Sequence, residues 1–465
     1  MWRAGRLCPR NILRMQSLTA QPAFGRAPVP ARIRYEKTKA AFPAGGAPVS
    51  SFQIHVPVYT APMDKGTSTA AAEAFLLRLA RGLHQFGSPA HRLEDALGRL
   101  CKHLDIEGEF FVMPTAIFAR IGSGTHQRTA LERVSPGAHN LEKLSSLDRL
   151  ADAVSNGRLG LEAAEKQIRE VMSAPDRWGP IVTILAFAVG SAGAARFFGG
   201  GVRDLFAAGV AGLALGLLEI LVIRWPDARR VFEVFAALVI SITAVVAASF
   251  FGCSAQVVTL SGLIILVPGL TLTIAMAELA TQHLASGTAR LTGAIMTFFL
   301  IGFGVSLGSR TALFLPAPQD MTPILLPPWS EPVAIVAVAF ALVVLFRAHP
   351  RDTPWITIAG LIGFYGARFG GIFLGPELGT FVGGALVGVA GNAFARFLGR
   401  PSAVVSVPGI MLLVPGAVGY RSLMSLMERE TLLGIETAVT AAVVASALVT
   451  GLLVANVILP PRRPL

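Results

Sequence analysis

The chain has 465 residues, of which 53% are hydrophobic and only 15% charged, with a mean hydropathy of +0.60. Soluble domains carry about 25% charged residues, so an ordinary soluble globule is excluded, as is a polar, disordered chain. Three cysteines far apart exclude a disulfide scaffold or a Cys-rich zinc site. The net charge of +12 is concentrated at the start. Residues 1–65 hold seven Arg and three Lys against Glu36 and Asp64. Nucleic-acid binding would need a basic face on a folded module, so no nucleic-acid partner is expected.

Residues 1–67 read as a basic, disordered leader. Pro22, Pro28 and Pro30 interrupt any amphipathic helix. The alternative is an Arg-rich, acid-poor mitochondrial transit peptide. Residues 68–177 read as a small α+β domain. Phe75, Leu76, Leu79, Leu83 and Phe86 recur at helical spacing. Gly87-Ser88-Pro89 ends that helix, and Ser88 is expected to cap the next, with Pro89 at its first position. Leu93, Leu97, Leu100 and Leu104 supply the stripe of the second helix. The run 110–118 reads as one strand with a proline bulge, and 125–134 as a second. Two amphipathic helices are expected over 140–155 and 161–172.

From residue 178 onward the chain is almost continuously apolar. A membrane-spanning helix needs about 20 apolar residues. Ten candidate spans follow at 180–198, 205–223, 231–251, 256–279, 291–308, 332–346, 355–374, 378–398, 403–418 and 432–459. They divide into a first five-helix unit (178–310), a Pro-rich loop (311–331) and a second five-helix unit (332–460). Ser261–Gly269 (SGLIILVPG) and Pro408–Gly416 (PGIMLLVPG) share five of nine residues at an offset of 147. Each lies in the fourth span of its group. An odd number of spans inverts the second copy, so the expected architecture is mainly α-helical, a 5+5 inverted repeat as in secondary transporters. Eleven arginines flank the spans on the N-terminal side and five on the other. That asymmetry places both termini and the α+β domain in the cytoplasm, in a multi-pass protein of the plasma (inner) membrane or, alternatively, a mitochondrial or other organelle membrane.

Proline in mid-span removes a helical hydrogen bond and frees a carbonyl. Such backbone is tolerated in a membrane only where it is buried or lines a cavity. Pro268, Gly269, Pro415 and Gly416 are therefore candidates for a substrate pathway, joined by the intramembrane amides Asn392 and Asn456. Ionisable residues inside spans are costly and point to function. Glu219, Glu278 and Glu436 are the candidate proton carriers, whereas Arg368 reads as interfacial or paired. No GxxxxGK[ST] loop occurs, so ATP-driven transport by this chain is not expected. HExxH-type metal spacing is also missing, and no cofactor is expected.

The string Gly87-Ser88-Pro89-Ala90-His91-Arg92-Leu93-Glu94, the run 110–118 and the paired Val-Pro-Gly strings together resemble the threonine/serine exporter (ThrE-type) family over roughly residues 70–460. The first string matches the GxPxHRxE form of the family's eukaryotic-like members. The resemblance implies proton-motive-force-driven export of L-threonine and L-serine from the cytoplasm. It also implies a possible hydrolase activity of the α+β domain, with His91, Arg92 and Glu94 as the matching positions. On a helix His91, Glu94 and Asp95 share one face, and a carboxylate there would raise the pKa of His91. No GxSxG-type elbow accompanies them, so the chain reads as a transporter rather than an enzyme. Its partners would be a small amino acid, the lipid bilayer and a possible second copy of the chain.

Overall fold

The computed structural model describes residues 66–461 except 125, 126, 136, 138, 226 and 318–325. The basic leader, with its two readings, lies outside the described residues. The α+β part begins with α1 (Gly66–Gln85) and α2 (Ala90–His103). Their Leu and Phe stripes are buried to below 10% exposure, as helical periodicity requires, except Leu104, which is the C-cap of α2 and is only partly buried. Pro89, in extended backbone, is the N-cap of α2, and no side chain caps the helix. Ser88 is thus not the cap that its position suggests.

The run 110–118 is a hairpin rather than one strand. β1 (Gly108–Met113) pairs antiparallel with β2 (Ala116–Ile121), and Met113 faces Ala116 across the two-residue turn Pro114-Thr115. Proline lacks an N–H and fits a turn better than a ladder. Its carbonyl lies 3.1 Å from His84 Nε2. β3 (Arg128–Arg133) completes a three-stranded sheet of order β1-β2-β3. Ile117, Ala119 and Ile121 turn one face of β2 inward, at period two. Next come α3 (Leu141–Ser155) and α4 (Leu161–Ser173). Asn140 caps α3, its side-chain oxygen accepting from Lys143 N–H.

Twelve further helices follow: α5 (Pro180–Phe197), α6 (Val202–Val222), α7 (Phe232–Phe251), α8 (Ala255–Leu263), α9 (Gly269–Ala280), α10 (Leu284–Ser309), α11 (Ser330–Leu345), α12 (Thr353–Leu374), α13 (Pro376–Leu398), α14 (Ala403–Ile410), α15 (Gly416–Met427) and α16 (Thr431–Ile458). Among the described residues, seven helical segments are long and apolar enough to cross a membrane, counting the 3₁₀ turns that extend some of them. The other expected spans fall short. The sixth is the 16-residue α11, and the fourth and ninth are each broken in two, as α8/α9 and α14/α15. The ninth also runs further than its apolar stretch suggests, because α15 continues as an amphipathic half-helix to Met427.

The breaks fall where proline removes the helical donor. α9 and α15 start afresh after N-caps at Pro268 and Pro415. α8 packs against α5, α6 and α7, while α14 packs against α11, α12 and α13. α9 lies against α10 and α16, and α15 lies against α16 and α10.

The α+β part docks on the helical part largely through helix ends, whose backbone groups lack partners within their own helix. Leu141 and Glu142 N–H, at the start of α3, donate to the carbonyls of Phe346 (3.0 Å) and Arg347 (3.2 Å) just after α11. Ala90 N–H, at the start of α2, donates to Glu278 Oε1 (2.9 Å). Trp178 Nε1 donates to the Ala348 carbonyl (3.1 Å).

Candidate functional site

The two breaks meet. A Cβ added to Gly269 would lie 3.0 Å from Gly416 Cα, and one added to Gly416 would lie 3.2 Å from Gly269 Cα. Only glycine allows backbones this close. The two broken helices run in opposite directions. α9 leads from its break to Glu278, beneath Ala90, whereas α14 begins beside Ser402, beneath Arg92, and leads away.

Two cavities lie along the broken helices, neither of them lined by Gly269 or Gly416 themselves. The inner one, of about 90 Å³, is enclosed by α9, α14, α16 and the start of α2, with Ser88, His91, Arg92, Thr273, Ser406 and Asn456 on its wall. The outer one, of about 660 Å³, lies between α8 and α15, with Gln256, Thr259, Tyr420 and Arg421 among its polar groups. Asn392 and Asn456 are brought together: Asn392 Nδ2 donates to Asn456 Oδ1 (2.9 Å) and to the Leu459 carbonyl (2.9 Å).

The three candidate proton carriers lie apart. Glu278 is fully buried, and both its oxygens are held by Arg290 Nε at 3.1 and 3.0 Å. Glu219 is half-buried at the end of α6, 3.5 Å from Arg229. Glu436 is exposed on the first turns of α16. Arg368 pairs with Glu331 at 2.7 Å.

Around the start of α2 the structure assembles groups that sequence reasoning left separate. Glu94 accepts from Val112 N–H (2.8 Å) and meets His283 Nε2 (3.1 Å) rather than His91. His283 Nδ1 sits 2.8 Å from the Thr281 carbonyl, an acceptor that calls for a proton on Nδ1. A neutral ring then has a bare Nε2, so the Glu94–His283 contact holds a proton, on one partner or the other. Burial raises the pKa of Glu94, opposed by its bonds to Val112 and His283.

His91 departs from the expectation of a raised pKa. Burial, then the charges of Arg92, His283 and Arg290, push it down to about 3. Its Nδ1 has no hydrogen-bond partner. Arg400 forms a two-pronged ion pair with buried Asp352, which fixes the start of α14 against that of α12. Arg290, His283, Asp352 and Arg400 carried no sequence signal, because each partner lies across a helix hairpin or on another element. Among the described residues, no three His, Cys, Asp or Glu side chains converge as metal ligands.

The lowered pKa of His91 sets the sign of an acid response. A group held neutral in the fold contributes stability that is complete above its unfolded pKa, about 6.5, and is lost as pH falls toward the folded value. Thermal melting of the detergent-solubilised protein is therefore expected to drop between pH 6.5 and 4, and to drop less in His91→Gln. His139, also pushed down by burial, to about 4, supplies part of the same response. Identical pH profiles for wild type and variant would remove His91 from the junction's acid response.

Seven helical segments long and apolar enough to cross a membrane, together with two shorter helix pairs broken at prolines whose following glycines meet, define, among the described residues, a multi-pass, transporter-like membrane protein. Two family models match this chain: "Putative threonine/serine exporter" over residues 74–312, and "Threonine/Serine exporter, ThrE" over residues 332–458. The chain belongs to the ThrE threonine/serine exporter family. Similar proteins include pheromone-regulated membrane protein 10 of Candida albicans (strain WO-1), 26% identical over 75% of this chain and 33% of the relative. The proteins of that name from Debaryomyces hansenii and Saccharomyces cerevisiae (strain YJM789) are 27% and 25% identical, over 75% and 79% of this chain and 36% and 49% of theirs. The chain thus spans a third to a half of these relatives' length. No solved structure matches it.

Proposed function

We propose that the chain is a secondary active exporter of small neutral amino acids, L-threonine and L-serine, driven by the proton motive force. The observation that carries this reading is the contact of Gly269 with Gly416 where the two broken helices meet, with one cavity beside α9 and α14 and another between α8 and α15. A thin barrier between opposed openings is what alternating access requires, and broken helices are where transporters hold their substrates. The matched packing of α8 and α14 supports a 5+5 inverted repeat, in which the half-helix pairs count as the fourth and ninth of ten crossings. On this reading the arginine bias puts the α+β domain and both termini in the cytoplasm of a cell with the protein in its plasma (inner) membrane. Pro268, Gly269, Pro415 and Gly416 form the barrier, with Asn392 and Asn456 beside its inner chamber. Of the carboxylates, Glu278 is nearest that chamber, directly after the wall residue Ala277.

Reconstitution tests the reading. Liposomes loaded with L-threonine or L-serine and given a pH gradient are expected to release them faster than empty-vesicle controls, and an uncoupler should abolish the excess. Release that matches protein-free liposomes would end the exporter reading.

A further inference from the structure

The inner cavity carries donors that the fold leaves unused. Arg92 reaches its wall from α2, where Nη1 donates to Ser402 Oγ at 3.2 Å. Among the described residues it has no carboxylate within ion-pair distance. Ser88, on the same wall, is only 3% exposed, and its hydroxyl has no hydrogen-bond partner. α2 also starts there. Hydrogen bonding within its first turn begins with Leu93 N–H to the Pro89 carbonyl, so His91 and Arg92 N–H have no acceptor in the helix. Nearby Glu278 does not cancel this positive field, because Arg290 neutralises it.

We propose that Arg92, the Ser88 hydroxyl and the start of α2 form the site that binds the carboxylate of the transported molecule. The inference rests on the exporter reading and gives its inner chamber a chemistry. Helix N-termini and arginine both favour carboxylates, and arginine can bind one through two parallel bonds. The cavity's volume of about 90 Å³ is several times the roughly 10–15 Å³ that admits a first water, so it has room for a small polar group and not for a large ligand. Across from Arg92, Ser406 on α14 and Asn456 on α16 offer polar atoms to the rest of such a molecule. The opposite requirement follows for analogues: a ligand without the carboxylate leaves the part-buried Arg92 with Ser402 alone and the Ser88 hydroxyl without a partner, at a cost in affinity.

Equilibrium binding to the full-length, detergent-solubilised protein tests the proposal, with L-threonine, L-threoninol (the carboxylate replaced by a hydroxymethyl group), L-lactate and succinate as probes. L-Threonine is expected to bind about tenfold or more tightly than L-threoninol. Arg92→Gln should weaken L-threonine binding by a similar factor and erase that preference, while Arg92→Lys keeps part of it. Ser402→Ala removes Arg92's protein partner but not its charge, and should leave affinity near wild type. This separates a binding role from an anchoring one, and melting curves of all four proteins report on folding.

Unchanged affinity and preference in a folded Arg92→Gln would overturn the site while leaving gradient-driven export standing. Arg92-dependent binding of L-lactate or succinate without binding of L-threonine would uphold the site and overturn the amino-acid reading. Wild-type protein that binds none of the carboxylates would overturn the site.

Discussion

Replacing Glu278 by alanine is expected to destabilise the protein by about 3–5 kcal/mol, the cost of removing one partner of a buried ion pair. The side chain is fully buried and holds two groups at once, Arg290 on α10 and the Ala90 N–H that starts α2. Its loss leaves Arg290, whose side chain is 16% exposed, without its counter-charge. It also orphans a backbone donor at the domain junction. The melting temperature should fall, and limited proteolysis should cut sooner in the 174–179 segment that joins α4 to α5. Arg290→Met is expected to cost a similar amount. The double replacement Glu278→Met/Arg290→Met should recover much of it, because paired charges cost desolvation that apolar residues avoid. Single-variant melting curves that overlay wild type would show that this pair does not hold the junction.

Alanine at Gly269 or Gly416 is expected to damage transport more than folding. The new Cβ at 269 would sit 2.2 Å from Val414 Cγ1 and 3.0 Å from Gly416 Cα. The valine can rotate, but the opposing backbone cannot, and overpacking of this kind costs about 1–3 kcal/mol. On the exporter reading this contact is the barrier, so propping it apart should abolish gradient-driven accumulation while downhill leak persists or rises. Vesicles that report both fluxes check this. Equal loss of both, in step with a lowered melting temperature, would reduce the two glycines to packing residues.

Much of the fold is legible in the sequence where one short-range signal dominates. Leu79, Leu83, Leu93 and Leu97 fix α1 and α2 by period alone, and Asn140 marks the start of α3 with a cap. The hairpin at Pro114 was hidden because Phe110–Met113 and Ala116–Phe118 are both strand-like, and only cross-strand pairing distinguishes a turn from a bulge. The paired Pro-Gly breaks could be found from repetition. Their mutual contact could not, since nothing in either string says that it faces the other. The junction was less legible still. Ala90 bonds to Glu278 and Glu94 to His283 across 188 and 189 residues of chain, a separation at which no periodicity survives. Ser88 shows the limit of local rules. Next to a helix start it has the composition of a cap, yet its hydroxyl is buried without a partner, in a residue that lines a cavity only the tertiary fold creates.

The bonds from Leu141 and Glu142 to the carbonyls of Phe346 and Arg347 involve no side-chain atoms. Point replacement at these four positions, proline apart, leaves these backbone donors and acceptors in place, although Leu141 and Phe346 also pack in the core there and Arg347 pairs with Asp176. Insertion or deletion of a single residue on either side does not leave them in place. It slides one ladder of groups past the other and breaks both bonds together. The backbone bonds of the seam are therefore indifferent to which side chains flank them and vulnerable to change in length, whereas its buried side chains and ion pairs answer to composition.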